Sequence, residues 1–159
     1  MITHPFEPVY DRRSRVLVLG SFPSVRSRQE GFYYGHPRNR FWPVLSAVFG
    51  DPVPEGIQGR QEFLKAHGIA LWDAALSCEI RGSSDLSIRR AVPTDLSPIL
   101  RAAPIGRVLL NGRMAARIYL THQGRDIDLP YIVLPSTSPA NAGITLERLV
   151  CIWREALDI

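Results

Sequence analysis

Four short apolar runs, Arg15 to Gly20, Ile69 to Trp72, Arg107 to Asn111 and Tyr131 to Leu134, are separated by stretches with helical spacing, and this alternation leaves few folds open. Strands of four to six residues alternating with helices imply parallel pairing, because the helical crossovers are right-handed and cover the sheet on both faces. The expected class is therefore α/β, a three-layer α/β/α sandwich around a central four-stranded parallel sheet. In such a sheet the C-terminal ends of the strands share one rim, where sites are built. Here that rim gathers Ser21 and Phe22, Asp73, Asn111 and the segment from Ser136 to Ser138.

The segments between the runs fill in the rest. Met1 to Ser14 reads as irregular, and Ser21 to Arg38 as loop. Arg40 to Phe49 places Phe41, Trp42, Leu45, Val48 and Phe49 at helical spacing, with Pro43 tolerable in the first turn. A Pro/Gly loop from Asp51 to Gly59 precedes a short helix, Arg60 to His67, closed by Gly68. Asp73 to Arg90 reads as a long polar connection, with a turn from Arg81 to Asp85. Thr94 or Asp95 then caps a helix to about Ala103; further helices run from Gly112 to His122 and from about Leu146. With 159 residues, 45% of them hydrophobic, and no repeat or linker, a single domain over 1–159 is expected.

The net charge of +4 favours an anionic partner, and of nineteen basic residues only Lys65 is a lysine. Arginine suits bidentate recognition of phosphate and stacking on rings. Arg12, Arg13, Arg15, Arg26, Arg28, Arg38 and Arg40 fall within the first forty residues, among aromatics, as in a nucleic-acid groove. A coding bias toward arginine explains the preference equally well, though not the clustering.

Cys78 and Cys151 lack the spacing of a metal site and are expected to be buried thiols; His4, His36, His67 and His122 are scattered. No metal and no cofactor is implied. Phosphate-loop, dinucleotide-binding and nucleophile-elbow motifs are missing, and Ser21 as a nucleophile has no base nearby except the loop residue His36. Without a signal peptide, an apolar run of membrane-spanning length or a lipidation motif, a soluble cytoplasmic monomer is expected.

The segment from Gly31 to Trp42, GFYYGHPRNRFW, combines aromatics, a His-Pro pair and an Arg-Asn-Arg triplet, and looks like one wall of a base-binding pocket. Its residue types also fit a plainer role. Asn39 suits a helix N-cap, and Tyr34 and its aromatic neighbours suit a core. Asn111 fits either the edge of a base or the cap of the next helix, and Pro135 to Gly143 either a DNA-contacting loop or a Pro-Ser turn. Asp73 and Asp85 are candidate auxiliary bases or turn caps.

Gly20-Ser21-Phe22-Pro23-Ser24, the GFYYGHPRNRFW segment, Leu110-Asn111-Gly112-Arg113 and Leu134-Pro135-Ser136-Thr137-Ser138-Pro139 resemble, in order, the motifs of the uracil-DNA glycosylase superfamily. The string His36-Pro37-Arg38-Asn39-Arg40-Phe41-Trp42 is similar to that of its mismatch-specific uracil/thymine branch. Two positions depart from the pattern. Phe22 stands where the mismatch branch carries a catalytic Asn, and Leu134 where the uracil-specific enzymes begin their last motif with His. The chain therefore looks most similar to the hypoxanthine-DNA glycosylase branch, whose members carry GSFPS and use the asparagine of NRFW for catalysis.

That resemblance implies a monofunctional enzyme that excises hypoxanthine from deoxyinosine in DNA. Asn39 would be the catalytic residue, and Ser21, Phe22, Tyr34, Asn111, Ser136 and Ser138 would hold the substrate. The same fold acting on uracil or xanthine, or a DNA-binding member without catalysis, is the alternative. An Asn is a poor base, so its amide would act by orienting water and stabilising charge.

Overall fold

The computed structural model describes residues 1–158, which run in the order β1 (Ile2–Thr3), β2 (Val16–Gly20), α1 (Val25–Glu30), α2 (Phe41–Phe49), α3 (Gly56–Ala66), β3 (Ile69–Asp73), β4 (Ala75–Glu79), a 3-10 turn (Asp85–Ser87), β5 (Arg89–Pro93), α4 (Ser97–Ala102), β6 (Arg107–Asn111), α5 (Arg113–His122), β7 (Tyr131–Leu134) and α6 (Leu146–Leu157). The expected four-stranded parallel sheet is present, in the order β3-β2-β6-β7. Both faces of its inner strands are covered, which is why they read as unbroken apolar runs. Val18, Leu71 and Leu109 pack in one core with residues of α2, α3 and α6; Leu17, Leu19, Ala70, Val108 and Leu110 pack in the other with α4 and α5.

The segment expected to be a polar connection is instead a second sheet. β1, β4 and β5 form an antiparallel ladder, β4 in the middle, with two register shifts between β4 and β5. The alternation that betrays a strand is blurred there, since bulges reset its phase and Arg89, Arg90 and Glu79 point to solvent. The opening residues are likewise ordered. Val9 bridges Leu71 antiparallel, and this lays the N-terminal segment along β3 and buries His4.

Other expectations need smaller corrections. The loop after β2 contains α1, which has no apolar stripe: Ser27 is its one buried residue, while Ser24 caps its start and Gly31 its end. Helix α3 begins four residues early, at Gly56, behind a Pro/Gly stretch that hides its start. Thr94 caps nothing; its hydroxyl donates to the Asp73 carbonyl at 2.9 Å, and Asp95 takes the turn before α4 by accepting from Ser97 N–H at 3.0 Å. Cys78 is buried as expected, but Cys151 is exposed, on the outer side of α6.

The arginines that cluster in the sequence separate in space. Arg13 and Arg15 lie against Gly68, just before β3, at the end of the sheet opposite its C-terminal rim. Arg40 serves the interior, donating to the carbonyls of Ile144 at 2.6 Å and Asn141 at 2.8 Å. No helix among the described residues is long and apolar enough to cross a membrane.

Candidate active site

A cavity of about 310 Å³ opens at the C-terminal rim of the parallel sheet, within the usual range for small-ligand sites. Every residue singled out by sequence borders it: Asn39, Ser21, Phe22, Tyr34, Asn111, Ser136 and Ser138, with Asp73 and Asp85. Backbone continuity brings them together. The strand ends supply Gly20, Asp73 and Asn111, and the following loops supply the rest.

Asn39 is placed by a tight turn. Its N–H donates to the His36 carbonyl at 3.0 Å, closing a four-residue turn in which Pro37 fixes the second φ. Its Oδ1 then accepts from Phe41 N–H at 2.9 Å, at the start of α2. This is a turn bond just ahead of the helix, whose N-cap is Arg40 without a side-chain cap, so Asn39 is not the N-cap that its residue type suggests; its Nδ2 borders the cavity with no hydrogen-bond partner among the described residues. Next along, Arg40 N–H donates to the Thr137 carbonyl at 3.0 Å, and its guanidinium holds Asn141 and Ile144, so the last loop is clamped to this turn.

Asn111 is 6% exposed and spends most of its amide internally. Nδ2 donates to the Tyr34 hydroxyl at 3.1 Å and to Thr137 Oγ1 at 3.0 Å, and Oδ1 accepts from Thr137 N–H at 3.0 Å. It caps no helix, since α5 starts from Gly112 without a side-chain cap. Of the donor and acceptor expected for a base edge, only one acceptor lone pair remains. Thr137, fully buried, is the residue of this group that sequence reasoning passed over, although it lies inside a quoted motif.

Tyr34 adopts φ +55°, a left-handed backbone that is costly outside glycine and tends to mark functional positions. Phe41 covers one ring face, with centroids 4.1 Å apart and planes 21° from parallel. At most the other face is open to a base. Burial chiefly, and then the nearby Asp73 carboxylate, push the phenol well above its ordinary range, while the Asn111 hydrogen bond pulls the other way. Tyr34 therefore keeps its hydroxyl hydrogen. Phe22, buried at the cavity wall with the Arg28 guanidinium 5.8 Å from its ring centroid, is the second aromatic surface.

The opposite wall carries carboxylates. Asp73 is 3% exposed, and its Oδ2 lies 2.8 Å from His4 Nε2. Phe6 N–H points to His4 Nδ1 at 3.4 Å, so the tautomer with hydrogen on Nε2 fits, and His4 donates to Asp73. Oδ1 of Asp73 has no hydrogen-bond partner among the described residues. It lies over Gly20, where a Cβ would overlap it and stand 2.8 Å from the Tyr34 hydroxyl. Glycine at this position lets both polar groups reach the cavity floor. Nothing in the sequence signals His4, which arrives through the antiparallel sheet.

Asp85 enters from the turn between β4 and β5. Ser21 Oγ donates to its Oδ1 at 2.7 Å, and Val25 N–H to Ser83 Oγ at 2.9 Å, while Arg28 holds the Gly82 carbonyl at 2.7 Å. These bonds fasten the turn over the cavity. Burial raises the Asp85 carboxyl above its ordinary value, against the lowering effect of the Ser21 hydrogen bond and with a smaller push from Asp73. Ser136 and Ser138 form successive turns, accepting from the N–H of Ser138 at 3.0 Å and of Ala140 at 3.2 Å, which leaves their hydroxyl hydrogens free. No group of three or more His, Cys, Asp or Glu among the described residues is arranged to hold a metal ion.

Comparison with known proteins agrees with this architecture. A sequence profile of the Uracil DNA glycosylase superfamily matches residues 7–156. A protein of Methanosarcina barkeri named hypoxanthine DNA glycosylase is 36% identical over 110 residues, covering 68% of this chain and 70% of its own length. A second of that name, from Methanosarcina acetivorans, is 31% identical over 150 residues, covering 93% and 94%. The solution NMR structure of a protein from Methanosarcina acetivorans, provisionally titled a uracil DNA glycosylase, superposes with a TM-score of 0.81 over the full length of both chains at 29% identity. By profile, relatives and fold, the chain belongs to the uracil DNA glycosylase superfamily.

Proposed function

We propose that this chain is a monofunctional DNA glycosylase that hydrolyses the N-glycosidic bond of deoxyinosine in DNA and releases hypoxanthine. The observation that carries the reading is Asn39: its oxygen is fixed by the turn bond to Phe41 N–H, and its Nδ2, without a hydrogen-bond partner among the described residues, borders a cavity lined by the aromatic rings of Phe22 and Tyr34. Such an enzyme takes the nucleotide out of the stack and binds the extruded base in a closed pocket. The names of the two relatives point to the same base.

The residues divide the work as follows. The Asn39 amide orients the attacking water, and the carboxylate of Asp73 on the same cavity favours the positive charge that develops on the sugar. Asp73 Oδ1, unpartnered over Gly20, accepts a ring N–H. Hypoxanthine offers one at N1 and uracil one at N3, whereas adenine presents a lone pair at N1, so undamaged adenine is refused. Phe22 and the open face of Tyr34 stack on the base, a contact worth about 1 to 3 kcal/mol. Free hydroxyls of Ser136 and Ser138 donate to backbone phosphates. Lys65 is exposed on α3 and borders no part of the cavity, so no Schiff base forms there. The reading takes 1–159 as one catalytic domain, acting as a monomer on DNA in the cytoplasm.

Oligonucleotides carrying a single deoxyinosine, deoxyuridine or deoxyxanthosine test it. Alkali-labile abasic sites are expected at deoxyinosine first. Cleavage confined to deoxyuridine or deoxyxanthosine overturns the choice of base, and binding to all three without base release overturns the enzyme reading.

A further inference from the structure

Two carboxyl groups face one cavity, each with one hydrogen-bonded oxygen. Asp73 accepts from His4. Asp85 accepts at Oδ1 from the weaker donor Ser21, and its Oδ2 has no hydrogen-bond partner among the described residues. A carboxyl group buried beside a second one favours its protonated form.

We propose that Asp85 is the proton donor of this site, delivering its proton from Oδ2 to N7 of the departing 6-oxopurine. The inference rests on the substrate reading above and adds to it the group that activates the leaving base. In the step, the C1′–N9 bond breaks and its electron pair stays on the purine. The Asp85 proton passes to N7, so hypoxanthine leaves neutral. Water adds its oxygen to C1′ and gives its proton to solvent, from which Asp85 is reprotonated. Atoms and charge balance as a hydrolysis, with no other reactant.

The fold supports this role in two ways. The turn bearing Asp85 is fixed to the β2–α1 loop through Ser21, Val25 and Arg28, so the carboxyl is held over the cavity. Burial, opposed by the Ser21 hydrogen bond and helped by the facing Asp73, also favours the protonated form, the form from which a general acid acts. The titratable or charged groups around Asp85 are Asp73 on β3, which accepts from His4 of the N-terminal segment, Tyr34 and His36 in the loop before α2, Arg28 on α1 and Cys78 on β4.

The test is single-turnover release of hypoxanthine from a deoxyinosine oligonucleotide, measured from acid to alkaline pH, by the wild type, Asp85→Asn and Ser21→Ala. In the wild type the rate falls as pH rises through the Asp85 titration. Asp85→Asn is about a hundredfold slower on the acid side, the lower end of general-acid effects, and loses that limb. Ser21→Ala removes the bond that stabilises the charged form, so its limb moves to higher pH. This shift reports on Asp85 even if Asp85→Asn fails to fold, and a merely structural Ser21 would not produce it. A limb that persists in Asp85→Asn, or stays in place in Ser21→Ala, belongs to His36 or another group and overturns the proposal while leaving the substrate reading intact. No hypoxanthine release by the wild type at any pH overturns both.

Discussion

The two walls of the cavity are built on different principles. One wall, formed by Tyr34, Asn39, Asn111 and Thr137, consists of neutral groups that satisfy one another and the backbone. The other, formed by Asp73, Ser21 and Asp85 with His4 behind Asp73, concentrates two carboxyl groups with one hydrogen-bonded oxygen each. A neutral, mutually bonded wall can be rigid at little cost, because buried polar groups are cheap when paired. A wall of carboxylates is expensive to bury and sensitive to pH. The contrast assigns geometry to the first wall and proton and charge chemistry to the second.

Gly20→Ala should break the contrast most severely, because its Cβ would overlap Asp73 Oδ1 and crowd the Tyr34 hydroxyl from the opposite wall. Release of hypoxanthine is expected to fall about a hundredfold, the scale of a misplacement near 1 Å. Denaturant melts should show a loss of about 1 to 3 kcal/mol from overpacking.

A smaller effect, confined to the charged wall, is expected from His4→Ala. It leaves the buried Asp73 carboxylate short of its donor, at a cost of about 1.5 to 3 kcal/mol, the range for hydrogen bonds to charged groups. A variant as stable as the wild type would mean that the pair contributes nothing to the fold.

The pH dependence of stability sharpens the same comparison. The folded-state pKa of Asp85 lies above its unfolded value, so the stabilising contribution of its proton is complete below the unfolded pKa and is lost as pH rises through the folded one. Over that window the wild type should lose stability relative to Asp85→Asn, whose amide does not titrate. Thermal melts of both proteins across mildly acidic to neutral pH check the sign. Lys65→Ala touches neither wall and should leave release unchanged, with no borohydride-trapped DNA adduct from either protein.

The lining residues of both walls were legible in the sequence except Thr137; what it hid was the second sheet and the bonds that depend on it, that of His4 to Asp73 among them. Buried parallel strands are unbroken apolar runs, so Val16–Gly20 and Arg107–Asn111 stand out, and the polar residues that end them point to the rim. The turn that sets Asn39 is local, written in His36-Pro37-Arg38-Asn39. By contrast, the partnership of His4 with Asp73 spans 69 positions and that of Ser21 with Asp85 spans 64. Both depend on a sheet whose strands are two to five residues long, bulged and half exposed. Such strands have almost no periodicity, and a two-residue strand has none. The arginines were a partial guide: Arg28 reaches the cavity at Phe22, whereas β2 carries Arg15 and the Gly20 rim to opposite ends of the sheet.

Asn39 is where turn and chemistry meet, and Asn39→Ala separates them. Loss of the turn bond to Phe41 N–H should cost about 1 kcal/mol, the usual worth of one hydrogen bond, leaving a folded protein. Single-turnover release of hypoxanthine from deoxyinosine should nevertheless fall by about a hundredfold or more, the scale for deleting one preorganised polar group. Stability lowered as predicted with release at the wild-type rate would make Asn39 a turn residue alone and contradict the account.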